Sequence, residues 1–455
     1  MTAFPLLGGM AANGQAEFVD NPPVNLEPIM LDNKIAAGQF RASAGVQTIA
    51  TGPGADRGAI VRNGRHYRVM GTSFVEVNGS AVTTIGDVGG SGPVSLDYGF
   101  DRLIIRSDDK LFYHTDAGLA QVTDIDLGPV LDAIWVDGYT MTTDGTSLVV
   151  TELANNTAVE PLKYGSAEED PDMVTGLARV RGEVLVTGRY TIEFLQNVGG
   201  NGFPFQVIDG ATIPYGCVSA SAKCAFLETL AFVGSERNAA LGVYLTGSGT
   251  ATKISSRALD RELAALPDPS VIEVESRNYL DEHRLLVHLP DKTWVYYHDA
   301  SQRAQTLLWG ITNNKARHAV EFNGEFYVGN NEGSEVGKLV HNSTAVFGQL
   351  QGWEFTTGFL YNESKGYIIK SIELVGLPGN IASGEAKIFL SISRDGRTYS
   401  QERVINAGKP GERSKRLQWR PRVHVPNYSI MKFRGFDQAM PGFTRLELDV
   451  EALAR

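Results

Sequence analysis

Cysteine is nearly absent from this chain. Only Cys217 and Cys224 occur in 455 residues, with no further Cys or His at metal-ligand spacing, which argues against a zinc module or a disulfide framework. Buried free thiols in a reducing compartment are favoured over a disulfide. Long apolar runs are missing too. None approaches the roughly 18 residues of a spanning helix, so no membrane insertion is expected. The N-terminus lacks a basic stretch followed by an apolar one, so no secretory signal is expected. A G-x-x-x-x-G-K-[ST] loop is absent, and the glycines of NVGGNGF (Gly199, Gly200, Gly202) precede no helical pattern, which makes them a loop, not a phosphate cradle. The G-x-S-x-G elbow of serine hydrolases is absent as well.

Positive charge is scarce overall: 41 Lys and Arg stand against 52 Asp and Glu, a net charge of −11. That favours solubility and argues against whole-chain nucleic-acid binding. The imbalance is uneven. From Trp353 to Arg455 there are 16 Lys and Arg against 11 Asp and Glu, net +5, which leaves −16 for the remainder.

What the chain does have is glycine, 50 residues placed between short apolar runs. Residues 58–88 set the pattern. Four short β-branched or apolar runs are separated by Asn63-Gly64, Gly71-Thr72 and Asn78-Gly79, and Asn-Gly between alternating runs marks a hairpin. The result is a four-stranded meander, which cannot bury both faces alone.

The unit recurs. A turn followed by a short inner strand is seen at Phe74, Leu111, Leu148, Ile192, Val243, Trp294 and Val336, in steps of 37, 37, 44, 51, 51 and 42 residues. A preceding hairpin repeats in four units, with turn glycines Gly64, Gly138, Gly182 and Gly324. A period of 40–50 residues with four strands per unit is the signature of a β-propeller. No WD dipeptide or kelch glycine pair marks the repeat, and about six or seven blades are expected. Packed β-sandwiches with similar hairpins are the alternative.

Residues 1–57 show no sustained periodicity. Pro22, Pro23 and Pro28 interrupt them while Phe18, Val19, Leu26, Ile29, Met30 and Leu31 favour burial. An extended arm packed on its own protein or on a neighbour is expected. Residues 58–351 form the propeller, with one helix expected over 256–266, capped by Ser256 and ended by Pro267. After about Gly352 the runs lengthen, and residues 352–455 read as a separate C-terminal β-sandwich of six to seven strands. The fold class is therefore all-β: a degenerate propeller with an N-terminal arm and a C-terminal sandwich.

Candidate sites are few. His283, His288 and His298 share one predicted blade, where they read as surface or edge histidines, not a metal site. Glu168, Glu169, Asp170 and Asp172 lack the ligand spacing of a calcium loop and read as a solvated turn. Ser393-Arg394-Asp395-Gly396-Arg397-Thr398-Tyr399 resembles the Asp-box of sialidase propellers with one residue fewer between Asp and Gly; that box is a hairpin turn, with Asp395 bonding backbone amides and Tyr399 beneath. From Arg394 to Arg434, 11 Lys and Arg face three acidic residues. Arg394, Arg397, Arg403, Lys409, Arg413, Lys415, Arg416, Arg420 and Arg422 are the candidate contacts to phosphates or to an acidic protein surface. The alternative is a solvated sandwich face whose arginines lie over Trp419 and Phe433. No catalytic, metal or cofactor-binding residue is expected.

At this point the chain resembles a family: the packaged-DNA stabilisation proteins, or tail nozzles (hubs), of short-tailed lambdoid phages. The residues that carry the resemblance are Asn21-Pro22-Pro23-Val24-Asn25, the turn from Gly86-Asp87-Val88-Gly89-Gly90 to Ser91-Gly92-Pro93-Val94-Ser95, and Thr191-Ile192-Glu193-Phe194. They continue with His283-Arg284-Leu285-Leu286-Val287-His288-Leu289-Pro290, Asp395-Gly396-Arg397-Thr398-Tyr399 and Arg416-Leu417-Gln418-Trp419-Arg420. The resemblance implies a structural virion protein without catalytic residues or cofactors. It implies a homohexameric ring below the portal and adaptor, around double-stranded DNA read without sequence specificity. Tail fibres or spikes and a plug or needle are its further implied partners. The virion tail, assembled in the host cytoplasm, is the implied location. A glycan-binding or glycan-cleaving propeller and a cellular protein-interaction propeller are the rival readings.

Overall fold

The computed structural model describes residues 2–12, 17–31, 38–153, 155–167, 172–247, 249–362 and 365–453. Seven small antiparallel sheets follow one another along most of them. Blade 1 runs through the strands Asp56–Arg62, Arg65–Met70, Ser73–Asn78 and Ala81–Asp87, each hydrogen-bonded to the next. Blades 2 to 6 cover residues 94–121, 132–150, 174–207, 216–253 and 273–312. Blade 3 has three strands, with isolated Thr151–Val159 and Leu148–Gly165 bridges where a fourth would lie.

The innermost strand of each blade packs beside that of the next, and Ala316–Phe322 of blade 7 packs beside Asp56–Arg62 of blade 1. The ring is thus closed, at seven blades among the described residues. Closure uses an N-terminal strand. Gly45–Thr51 forms the outer strand of blade 7, running from Gly45 opposite Val340 to Thr51 opposite Glu335. Joining ends almost 300 residues apart costs little more than joining nearer ones, because loop entropy grows only with the logarithm of length.

The hairpin turns follow their backbone chemistry. Asn63-Gly64, Asp137-Gly138, Arg181-Gly182 and Asn323-Gly324 all have positive φ at both positions, the type I′ turn that matches strand twist. Asn78-Gly79 differs from expectation. Asn78 pairs with Ala81, so the central residues are Gly79 and Ser80, and only Gly79 has positive φ. Blade 6 builds the same doubly positive turn from Leu280 and Asp281, with no glycine. The helix Arg257–Ala265 joins blades 5 and 6, and the Ser256 hydroxyl accepts from the Leu259 amide as its cap.

The second body is a sandwich of two sheets. One sheet pairs Trp353–Thr356, Tyr428–Gly435, Ala386–Ser393 and Arg403–Gly408 in that order. The other runs Gln418–Trp419, Tyr367–Gly376, Gly442–Ala452, Gly38–Ala42 and Leu26–Met30, with Thr2–Pro5 also on Gly442–Ala452. The segment read as an extended arm therefore supplies strands to both bodies. Its strands escape periodicity analysis because they are three to seven residues long and pair with partners from the far end of the chain. Leu6, Leu26 and Phe40 enter the sandwich core beside Phe355, Phe433 and Phe443.

The N-terminal segment also joins the two bodies. Val24 bridges Ile311 of blade 6 on one side and Glu354 of the sandwich on the other. Asn25 donates to the Gly352 carbonyl and accepts from Thr312 Oγ1. Buried Glu27 pairs with Arg41 at 3.0 Å and with Arg284 of blade 6 at 3.1 Å.

Candidate assembly surfaces

Around the propeller axis the inner strands carry carboxylates that the repeat pattern left unnoticed. Asp97 of blade 2 accepts the Trp135 amide of blade 3 at 2.7 Å. Asp132 of blade 3 accepts Ser95 Oγ from blade 2, the Leu177 amide from blade 4 and Lys223 Nζ from blade 5, at 2.6, 2.8 and 2.7 Å. Glu275 of blade 6 accepts the amides of His318 and Ala319 in blade 7. In each case a carboxylate of one blade holds backbone of the next. An acidic residue inside the first apolar run of a unit (SLDY, LDAIWV, VIEVESRN) was the available signal.

The closure seam is the densest part. Asp56 and Arg68 are fully buried and 2.6 Å apart. Arg68 also donates to His66 Nε2 and to the His318 carbonyl. His318 Nδ1 lies 2.6 Å from Asp56 Oδ2. Burial disfavours a charge on His318, but Asp56 and Glu273 outweigh it and raise its pKa to about 9. Burial opposes ionisation of Glu273, yet His318 and Arg317 bring it down to about 2. Burial, aided by Arg68, lowers His66 to about 3. Charges taken from water persist here because each is met by a partner and by hydrogen bonds.

A cavity of about 410 Å³ beside the inner strands is lined by Asp97, Arg106, Asp132, Lys223, Glu273 and His318. That is the scale of a small-molecule site, roughly 300–1,000 Å³.

The nine basic candidates are divided by the fold. Arg394 and Arg397 lie on the hairpin turn after Ala386–Ser393, both exposed. Arg403 opens the edge strand Arg403–Gly408 and donates to the Pro421 carbonyl at 3.1 Å, which brings it beside Arg420 and Arg422. The other four lie on the loop after that strand. Lys409 pairs with Glu385 at 3.4 Å, Lys415 with Glu412 at 3.9 Å, and Arg416 with Glu373 through Nε at 2.9 Å. Arg413 bonds the Pro378 carbonyl. Arg394, Arg420 and Arg422 are exposed and have no carboxylate partner among the described residues. Charge density along the sequence overstated the patch, because acidic residues from other strands neutralise part of it.

Asp395 accepts from Ser393 Oγ and from the amides of Arg397 and Thr398, which hold its carboxyl well below the usual range. This carboxylate is committed to its own turn. The Gly396 carbonyl accepts from the Ala12 amide, so the turn is also a seat for the N-terminal hairpin.

The histidines need a correction. His288 is not a surface or edge residue; it is buried between Thr293 at 2.8 Å and Glu275 at 3.3 Å. His283 is half-exposed on Asp299, and His298 starts a short helix. Among the described residues no group of three or more His, Cys, Asp or Glu could hold a metal ion. Glu168, Glu169 and Asp170 of the acidic run lie outside the described residues, while Asp172 accepts the Tyr190 amide. Cys217 and Cys224 are free thiols, and burial pushes both pKa values up.

Two family models match the chain end to end. The first is described as the bacteriophage P22 Gp10 β-propeller and covers residues 2–344. The second is the P22 Gp10 β-sandwich and covers residues 352–451. The chain belongs to the P22 Gp10 tail hub family. A curated relative, the tail hub protein gp10 of Salmonella phage P22, is 25% identical over 451 residues, 91% of this chain and 92% of the relative. Solved structures with weak likeness include the N-terminal domain of Nup159, at TM-score 0.42 and 9% identity, covering 70% of this chain and 98% of that one. Another is the Pan2 WD40 domain of Neurospora crassa, at 0.43 and 9%, covering 68% and 97%. Membership of the Gp10 family makes the chain a structural component of the phage tail.

Proposed function

We infer that this chain is the repeating subunit of a homohexameric tail hub ring below the portal–adaptor complex. The observation that carries the reading is the match to P22 Gp10 through both bodies, at nearly full length of each chain. The mechanism is mechanical and electrostatic. A propeller closed by its own N-terminal strand, and joined to the sandwich through Val24, Asn25 and Glu27, is a stiff segment that can bear load. DNA passes between subunits, through the lumen of the ring. The net charge of −16 over residues 1–352, which include the whole propeller, lets DNA slide there without sticking. The C-terminal part of the sandwich, residues 353–455 at net +5, turns its cations to partners. Arg394, Arg420 and Arg422 are the strongest of the nine candidates, with Arg397 and Arg403 beside them; Lys409, Arg413, Lys415 and Arg416 are partly satisfied within the sandwich.

In this reading the ring extends the DNA channel, helps retain packaged DNA together with a plug or needle, and supports fibres or spikes. It assembles in the host cytoplasm and performs no chemistry. Cryo-electron microscopy of the particle tests it directly. Six copies below the adaptor are expected; absence of the chain from the tail, or a ring of another order, would overturn the corresponding part.

A further inference from the structure

Two distant ends of the molecule carry opposite surface chemistry. In the sandwich, the sheet edge formed by Leu26–Met30 rests on blade 6 through Glu27 and Arg284. The opposite edge of that sheet is formed by Gln418–Trp419 and Val423–Val425, which flank Arg420 and Arg422. The facing sheet ends there too, at Arg403–Gly408, with Arg403 bonded to Pro421 and the neighbouring Val404 side chain 55% exposed. This far edge is basic, carries an exposed aliphatic residue, and lacks a carboxylate partner for Arg420 and Arg422 among the described residues.

Blades 2 and 3 lie across the seven-membered ring from blade 6. Two short 3-10 turns, Ile125–Leu127 and Pro161–Lys163, stand side by side there. The Tyr164 hydroxyl donates to the Asp126 carbonyl, and the Val159 amide donates to Asp124. Ile125 and Leu162 are 92% and 86% exposed, on turns fixed by these bonds. The Asp124 carboxylate also accepts from the Asp126 amide, which holds both acids beside Tyr164; burial, and then Asp126, Asp144 and Asp124, raise the Tyr164 pKa. Glu160 is exposed beside them, and the one nearby cation on these turns, Lys163, is taken up by Glu152 at 2.6 Å. Exposed aliphatic residues within a charged rim are the anatomy of a protein interface.

We propose that the Ile125–Leu162 face of one copy receives the Val404, Arg420 and Arg422 edge of the next copy of this chain. The occupant is a second copy because the complementary surface is present on the same molecule: basic against acidic, aliphatic against aliphatic. The two surfaces differ, so the contact runs head to tail and repeats, closing into a ring where its rotation permits. Closure into the tail ring rests on the proposed function; the contact itself rests on the two surfaces.

The test is self-association of the full chain by sedimentation velocity, across protein and salt concentration. Arg420→Glu with Arg422→Glu, and separately Asp126→Lys with Glu160→Lys, should each weaken association at least about tenfold while leaving the thermal unfolding curve in place. Mixing the two double variants should restore it, because each reversed edge then meets a reversed face. Either variant associating like the parent, or a mixture that fails to recover, overturns the contact. In particles, Leu162→Cys with Val404→Cys should cross-link neighbouring subunits. A parent that stays monomeric in solution still supports the contact if this cross-link forms in tails, and overturns it if the cross-link does not. A chain present in tails without the cross-link defeats this contact and leaves the tail hub reading standing. A chain that self-associates as described yet is missing from tails does the reverse.

Discussion

The propeller and the sandwich solve the same problem, joining antiparallel sheets, with different chemistry. The sandwich closes face to face over an apolar core in which Phe355 stacks on Trp353 and Phe433, at 6.1 and 5.1 Å between ring centres, with Phe443 tilted against it at 5.8 Å. The propeller blades converge on an axis where inner strands meet edge to edge and leave amides with no strand to pair with. Carboxylates take those amides: Asp97, Asp132 and Glu275 each hold the backbone of a following blade. A buried amide without an acceptor costs free energy comparable to a lost hydrogen bond. The propeller axis therefore depends on carboxylates taken from water, where the interior between the two sandwich sheets is filled by apolar side chains.

The sharpest way to break this comparison is to remove one side chain from each side of it, a buried charge from the propeller and a buried ring from the sandwich. Arg68→Leu strands Asp56 in the closure seam and should destabilise the propeller by about 3–5 kcal/mol. Phe355→Ala should cost the sandwich about as much, roughly 3–5 kcal/mol, through cavity formation. Hydrogen exchange read by mass spectrometry separates the two bodies. Protection should fall first in blades 1, 6 and 7 for the first variant and in the sandwich strands for the second. Equal loss in both bodies from either variant would mean that the N-terminal strands make them one cooperative unit.

pH gives the next largest effect. His318 rises from 6.5 to about 9 on folding, so its stabilisation is fully present below pH 6.5 and is lost as pH rises through 9. Glu273 falls from 4.5 to about 2, so its contribution is present above pH 4.5 and is lost towards 2. His66 is held neutral at about 3, so stability also falls as pH drops from 6.5 towards 3. Urea unfolding followed in the propeller should weaken by up to about 3 kcal/mol between pH 6.5 and 9. His318→Gln should flatten that slope, and an unchanged slope would remove His318 from the seam's energetics.

Smaller effects test closure and turn chemistry. A Cβ on Gly337 would lie 2.3 Å from Val46 Cγ1 and 2.9 Å from the Gln47 carbonyl. Gly337→Ala should therefore loosen the closing strand at a cost of about 1–3 kcal/mol, seen as proteolytic nicking within residues 45–51. In blade 6, Leu280→Asn with Asp281→Gly should raise the melting temperature through a gain of about 1 kcal/mol, because Leu at positive φ is strained. Leu280 is half-exposed, so little burial is lost in the exchange.

Much of the architecture was legible because it is local. Hairpin turns at Gly64, Gly138, Gly182 and Gly324 need positive φ, and only a few residue types supply it, so they leave a readable period. The Asp395 turn and the Ser256 cap were legible for the same reason, since each partner lies within four residues. The basic candidates were less so. Glu373 and Glu385 neutralise Arg416 and Lys409 from positions 43 and 24 residues away, and linear charge counts cannot see such neighbours.

By itself the sequence determined the all-β class, the blade period and the change of texture near residue 352, all consequences of backbone preference and of alternation over a few residues. Tertiary structure alone decided the rest. It set seven as the number of blades among the described residues, and gave the closing strand to Gly45–Thr51. It brought Leu26 and Phe40 into a core with residues some 400 positions later. It also chose which carboxylates hold the axis. Those outcomes depend on which distant backbones and charges are left unpaired once the sheets have formed, a quantity that no short stretch of chain encodes.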